Sequence, residues 1–311
     1  MTQSLSPLKS FSPDSGQVKV WIRRLVWKMS IATFLLMAIG SATRVMNAGL
    51  ACPDWPLCYG QFVPTQQMNL QVFLEWFHRL DAALIGMSAI ALVGLSVWFR
   101  NVLPRWLPWA SGFALFLIVF QGILGGLTVT ELLRFDIVTA HLGTALFFFV
   151  TLLTIGACLS DFQGNNTANK LPWIGLTAAS LIYLQSLLGG LVASQWALHQ
   201  CFFRGDMCIV MNTHIIGVVP AALATLAAIV ISWRTAALHP LIRTFANIAL
   251  VLISSQILIG VATFKLHLQV APLTVTHQAV GAALLGSLTL LTVFALRDRQ
   301  SSGQYPASKL T

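Results

Sequence analysis

Charge is what this sequence has least of: 9% of its 311 residues are Asp, Glu, Lys or Arg, against 57% hydrophobic residues. A water-soluble domain of this length needs more polar surface to cover itself, so the composition excludes that class and makes lipid the natural solvent. Acidic residues are the scarcest, nine against eighteen Lys and Arg. The resulting formal charge of +9 does not indicate nucleic acid, because the cations alternate between successive loops as membrane orientation requires. The first twenty residues lack an apolar signal core and contain no Arg, so neither a cleaved secretory signal nor a mitochondrial presequence is expected.

What the chain has instead is long apolar runs. A bilayer core of about 30 Å takes about 20 such residues per helix, and runs near 27–47, 72–98, 107–130, 136–159, 171–193, 210–233, 245–264 and 273–296 supply eight spans. Thirteen Lys and Arg fall on one side, while the other keeps only Arg44, Arg79, Arg134, Arg204 and Lys265. The bias sets both termini in the cytoplasm of a bacterial plasma membrane, with the loops after the odd-numbered spans outside. Four of the five cysteines fall in those outer loops as close pairs, Cys52 with Cys58 and Cys201 with Cys208. Such pairs oxidise readily outside the cell, and reactive thiols or metal ligation are the other readings. Cys158, alone near the inner end of the fourth span, is expected to be a small core residue.

Internal repetition organises the spans. QGILGGLT from Gln121, QSLLGGLV from Gln185 and QILIGVAT from Gln256 recur in the third, fifth and seventh, with a weaker LMAIGSAT in the first. Small residues there let a neighbouring helix or a flat ligand approach closely. The even spans carry histidines at matched spacing: 63 residues separate His78 from His141, and 63 separate His214 from His277. The expected fold is therefore an all-α membrane protein of eight helices in two pseudo-symmetric four-helix bundles, 20–165 and 166–298, between cytoplasmic tails 1–19 and 299–311.

All four histidines lie four to six residues inside the outer end of their spans, roughly 6 to 9 Å deep, two per bundle. Two imidazoles from facing helices suit the axial positions of a heme iron, whereas zinc asks for more protein ligands. No Cys-x-x-Cys-His occurs, so covalent heme attachment is not indicated. Heme carboxylates need cations at the outer edge, and Arg44, Arg79, Arg134, Arg204 and Lys265 are the candidates, each also suited to a solvated interfacial anchor. His199 and His267 in outer loops and His239 in an inner one read as surface polar residues.

The halves differ beside the first histidine. With a 136-residue offset, Glu75 corresponds to Met211, Arg79 to Ile215 and Asp81 to Gly217. Glu75 shares a helical face with His78, and a carboxylate inside a span is by default functional, the other readings being a simple pair with Arg79 or a side chain that snorkels outward. The first site is thus equipped for acid/base or charge-stabilising chemistry, and the second for electron transfer through a plain heme pocket.

TRVMNAGLACPDWPLCYGQ from Thr43, EWFHRLDAALIG from Glu75, QGILGGLTV, TAHLGTAL around His141, NTHIIG around His214 and THQAVGAAL around His277 resemble the heme A synthase family. These stretches span nearly the whole membrane region, and CPDWPLCYG is the most specific. The resemblance implies an oxidoreductase that converts a methyl group of heme O to the formyl group of heme A for terminal oxidases. Two successive hydroxylations would give an alcohol and then a geminal diol that dehydrates. It further implies that His78 and His141 flank substrate heme O, that His214 and His277 ligate a permanent heme b, and that Glu75 is the catalytic carboxylate. Cys52 with Cys58 and Cys201 with Cys208 resemble the family's two outer disulfide pairs. An electron-transfer partner, heme O synthase and the oxidase assembly machinery are the expected partners. Two other readings of the residues are a diheme b-type carrier linked to quinone and a heme transporter; Glu75, without a second-half counterpart, favours the enzyme over both.

Overall fold

The computed structural model describes residues 15–193 and 209–300. Within them run eight helices: α1 (Ser15–Val45), α2 (Leu70–Trp98), α3 (Leu107–Thr130), α4 (Phe135–Leu159), α5 (Leu171–Val192), α6 (Ile209–Arg234), α7 (Pro240–Lys265) and α8 (Ala271–Gln300). All eight are long and apolar enough to cross a bilayer, and the chain is an all-α, multi-pass membrane protein. Cys201, Cys208, Arg204 and His199 lie outside the described residues.

Local chemistry sets where the helices start and stop. Pro108, Pro172 and Pro240 open α3, α5 and α7, where a missing N–H costs nothing. The Asn69 side chain caps α2 by accepting from Val72 N at 3.0 Å. His239, expected as a mere surface residue, caps α7: its Nδ1 accepts from Leu241 N at 3.2 Å. At their far ends α1, α3 and α7 close with one motif, in which the sixth residue of the turn donates back to a threonine carbonyl. The pairs are Ala48 to Thr43, Leu133 to Thr128 and Leu268 to Thr263, at 2.8 to 3.0 Å. Asn47, Leu132 and His267 take the left-handed conformation that this Schellman closure needs.

The helices pack as two rings. In the first, α1 touches α2 and α4, and α3 touches α2 and α4; in the second, α5 touches α6 and α8, and α7 touches α6 and α8. The rings meet along α1 and α4 on one side and α5 and α8 on the other. α8 lies deepest, buried without a break from Leu284 to Ala295, which explains why it is apolar on every face. Cys158 departs from expectation: it is exposed, because the register that buries Ala157 and Leu159 turns it outward.

Carboxylates also tie the helices together at the end away from the Schellman turns. There the buried Asp298 carboxylate accepts the backbone N–H groups of Asn165, Thr167 and Ala168 at 2.7 to 2.9 Å, fastening the α4–α5 link to α8. Asp161 takes Arg23 at 2.5 Å and Lys19 at 3.1 Å, which holds its carboxyl below the usual carboxylate range.

Candidate functional site: two histidine cavities

The fifth residue of every repeated segment is glycine: Gly40, Gly125, Gly189 and Gly260. Each lies against one of the four histidines on the following helix. A Cβ there would stand 2.7 Å from His78 Cε1, 3.3 Å from His141 Cε1, 3.2 Å from His214 Cε1 and 2.9 Å from His277 Cε1. At Gly40 and Gly260 only glycine lets the imidazole come this close to the helix backbone, and at Gly125 and Gly189 a side chain would push the ring back, so the glycines are cradles for the rings. Small residues at these positions are expected from the sequence; their constant place in the repeat is the signal for a more specific role.

One turn before each glycine, the carbonyls of Leu36, Gln121, Gln185 and Gln256 face the rings. No hydrogen bond to them is formed, and Nδ1 of all four histidines is buried without a partner. A ring whose Nδ1–H is aimed at a carbonyl presents the lone pair of Nε2, the arrangement that metal-binding histidines use. Gln185 and Gln256 complete the second pair: Gln185 Nε2 donates to His214 O at 2.7 Å, and Gln256 Nε2 lies 3.3 Å from His277 Nε2. Gly217, the counterpart of Asp81, leaves room for the Gln185 amide, which a Cβ would meet at 2.7 Å.

His78 and His141 share a cavity of about 480 Å³ inside the first ring, and His214 and His277 share one of about 380 Å³ inside the second. The ring centres of His78 and His141 are 6.5 Å apart. Two imidazoles bound to one iron through Nε2, with bonds of about 2 Å and roughly 1 Å from nitrogen to ring centre, stand about 6 Å apart. The cradled rings, the unpartnered Nδ1 atoms and this spacing fit a heme. Among the described residues no cluster of three or more His, Cys, Asp or Glu offers an alternative metal site.

The cavities differ in lining, as the 136-residue offset anticipated. Glu75 and Arg79 border the first where Met211 and Ile215 border the second. Glu75 is 4% exposed, and both of its oxygens are engaged: Oε1 by Arg79 Nη2 at 2.5 Å and Oε2 by the Cys52 backbone N–H at 2.8 Å. Arg79 also donates to the carbonyls of Asp54 and Leu57 at 2.6 Å and Cys52 at 3.3 Å. These carbonyls belong to the loop closed by the Cys52–Cys58 disulfide, which brings Trp55 onto Gly126 and into the cavity wall. Asp54 stiffens that loop by accepting Gly60 N at 2.8 Å and Tyr59 N at 2.6 Å, and the Gly60 N–H first of all holds its carboxyl below the ordinary range. The clamp of Glu75 and Arg79 on the loop was not visible in the sequence, because it runs through main-chain atoms.

The candidate cations separate. Arg44 lines the first cavity and donates through Nη2 to Gly190 O at 3.1 Å. Arg79 lines it too but is engaged by Glu75 and the loop. Arg134 pairs with Glu131 and Asp136 at the surface, and Lys265 is exposed at the end of α7.

The family model for COX15-CtaA, described as cytochrome oxidase assembly protein, matches residues 23–289, which takes in both cavities. The chain belongs to this family. Curated relatives of this COX15-CtaA protein carry the name heme A synthase. The one from Shewanella oneidensis is 32% identical over 204 residues, 57% of this chain and 59% of that protein. The one from Caulobacter vibrioides is 28% identical over 348 residues, 93% and 98% of the two chains. The one from Geobacillus kaustophilus is 24% identical, covering 90% and 94%.

Proposed function

We propose that the chain is a heme A synthase, which oxidises a methyl group of heme O to a formyl group in two successive hydroxylations and so serves oxidase biogenesis. The observation that carries this reading is Glu75, a buried carboxylate at one histidine cavity and not at the other. His78 and His141 hold substrate heme O in a cavity whose wall is mainly apolar. Glu75 accepts a proton or stabilises positive charge as electrons leave the methyl carbon, held in one orientation by Arg79 and the Cys52 amide. His214 and His277 hold a resident heme b, which supplies one-electron transfer when bound. Without a carboxylate beside them, these histidines only bind and orient.

Residues 20–165 and 166–298 form two pseudo-symmetric units, one per cavity, a reading supported by the ring packing and by cavity linings that match across 136 positions on the histidine-bearing helices. Both termini face the cytoplasm of a bacterial plasma membrane, on the strength of the Lys and Arg bias.

The test is expression of the chain with a heme O supply, followed by mass analysis of extracted porphyrins. Native chain should yield a formyl-bearing product. Glu75→Gln, which keeps a hydrogen-bonding group for Arg79, should retain both hemes and lower the product at least a hundredfold. Substitution by Ala is the poorer choice, since removing one partner of a buried ion pair costs about 3–5 kcal/mol. Normal turnover by Glu75→Gln would remove Glu75 from the assignment.

A further inference from the structure

Arg44 stands in the wall of the first cavity but is seated on the other half of the chain. It lies one turn beyond Gly40, about 6 Å toward the Schellman end from the glycine that cradles His78. Its Nη2 donates to the Gly190 carbonyl on α5, and among the described residues no carboxylate pairs with it. Next to Gly190 is Gly189, the cradle of His214 in the second cavity. A Cβ on Gly190 itself would stand 2.8 Å from Leu142, the residue after His141. Met37, Leu142 and Gln278 line both cavities, so the partition between them is a single layer of side chains.

We infer that Arg44 binds a carboxylate of the porphyrin in the first cavity and thereby transmits the filling of that cavity to the second as a change of charge. The inference rests on the proposed function. A guanidinium at this depth, with one carbonyl and no anion, is incompletely satisfied, and a porphyrin carboxylate is the counter-charge that its planar donors fit. While Arg44 is unpaired, its positive charge disfavours the oxidised, more positive state of a heme held by His214 and His277. Pairing cancels that field. The resident heme then holds its electron less tightly when substrate is present than when it is absent.

The sign gives the experiment. The chain carrying its resident heme is titrated potentiometrically, empty and with the redox-silent zinc form of heme O in the first cavity, whose fluorescence reports occupancy. Filling the cavity should raise the oxidised-to-reduced ratio of the resident heme at fixed ambient potential about three- to tenfold, tenfold being about 59 mV for one electron. The dimethyl ester of the same zinc porphyrin should fill the cavity with no shift. Arg44→Gln should bind the free acid about tenfold more weakly, lose the discrimination between acid and ester, and show the lower potential from the outset. Arg44→Lys should keep part of the shift. An equal shift with acid and ester in the native chain overturns the inference without any variant having to fold, as does a filled cavity that leaves the potential unmoved. A chain that binds neither zinc porphyrin at His78 and His141 overturns the functional reading itself.

Discussion

The two cavities have the same backbone and different chemistry. In both, glycine cradles bring imidazoles against the preceding helices with Nδ1 buried, at the wall of a largely apolar cavity. In the first, an acid and a base replace an apolar pair at the matched positions, and a disulfide-closed loop is hung on them. On the proposed function, binding a porphyrin requires only the repeat, whereas acting on one requires what was added to a single copy. The added ion pair is costly at this depth. It persists because each of its groups has further partners, Cys52 N on one side and three loop carbonyls on the other.

The comparison is broken most severely by removing the addition. Glu75→Met with Arg79→Ile gives the first cavity the lining of the second. The formyl product should fall at least a thousandfold in extracted porphyrin, while the visible spectrum still reports heme at both histidine pairs. Retained turnover would mean that the difference between the cavities is decorative.

A second set of variants separates the cavities by their shared part. A side chain at Gly40 or Gly260 would meet its histidine below 3.0 Å, too close for any real Cβ. Gly260→Val should cut resident heme occupancy at least tenfold and spare substrate binding, and Gly40→Val should do the reverse. Gly125→Ala and Gly189→Ala, where the contacts are 3.3 and 3.2 Å, should cost less. Heme-to-protein ratios on the purified chain read all four, and equal losses from both cavities would mean that the cradles are general packing.

The eight spans were legible because lipid imposes one constraint on every residue in it, and hydropathy reports that directly. The histidine pairing was legible because duplication preserves spacing, so His78–His141 and His214–His277 announce each other. Glu75 stood out for having Met211 as its counterpart. What could not be read was anything carried by main-chain atoms or by the direction of a side chain. The acceptors of Arg79 are carbonyls that any sequence possesses, and nothing in the sequence of α1 shows that Arg44 faces inward. Cys158 failed for the same reason, since α4 is apolar enough on its outer face for a buried and an exposed cysteine to look alike in sequence.

A smaller effect is expected from opening the loop covalently. The Cys52–Cys58 bridge closes a short loop, and its loss should cost that loop about 2 kcal/mol in the chain-entropy account. Cys52→Ser with Cys58→Ser removes the bridge while leaving the Cys52 main-chain N–H available to Glu75. Product formation should fall several-fold rather than vanish, because Arg79 still holds three loop carbonyls. Heme at His214 and His277 should be unaffected; a parallel loss there would tie the loop to the whole fold instead of to the first cavity.

The smallest effect belongs to Asp54, on the same loop but in water. The N–H groups of Gly60 and Tyr59 stabilise its ionised form, so its carboxyl is acidified relative to an unfolded chain. A depressed folded value means that the contribution is complete above the unfolded value of about 3.9 and disappears as pH falls through the folded one. Between pH 7 and 5, amide exchange at Tyr59 and Gly60, corrected for the intrinsic rate, should therefore hold constant. Protection should weaken only below the ordinary carboxylate range. Asp54→Asn should show the acid-side protection already at pH 7, with no further pH dependence in the loop. The second cavity has no described counterpart to this loop, so its heme spectrum should ignore the substitution altogether. Loss of loop protection near pH 6 in the native chain would point to a titrating group other than Asp54 and would overturn this account of the loop.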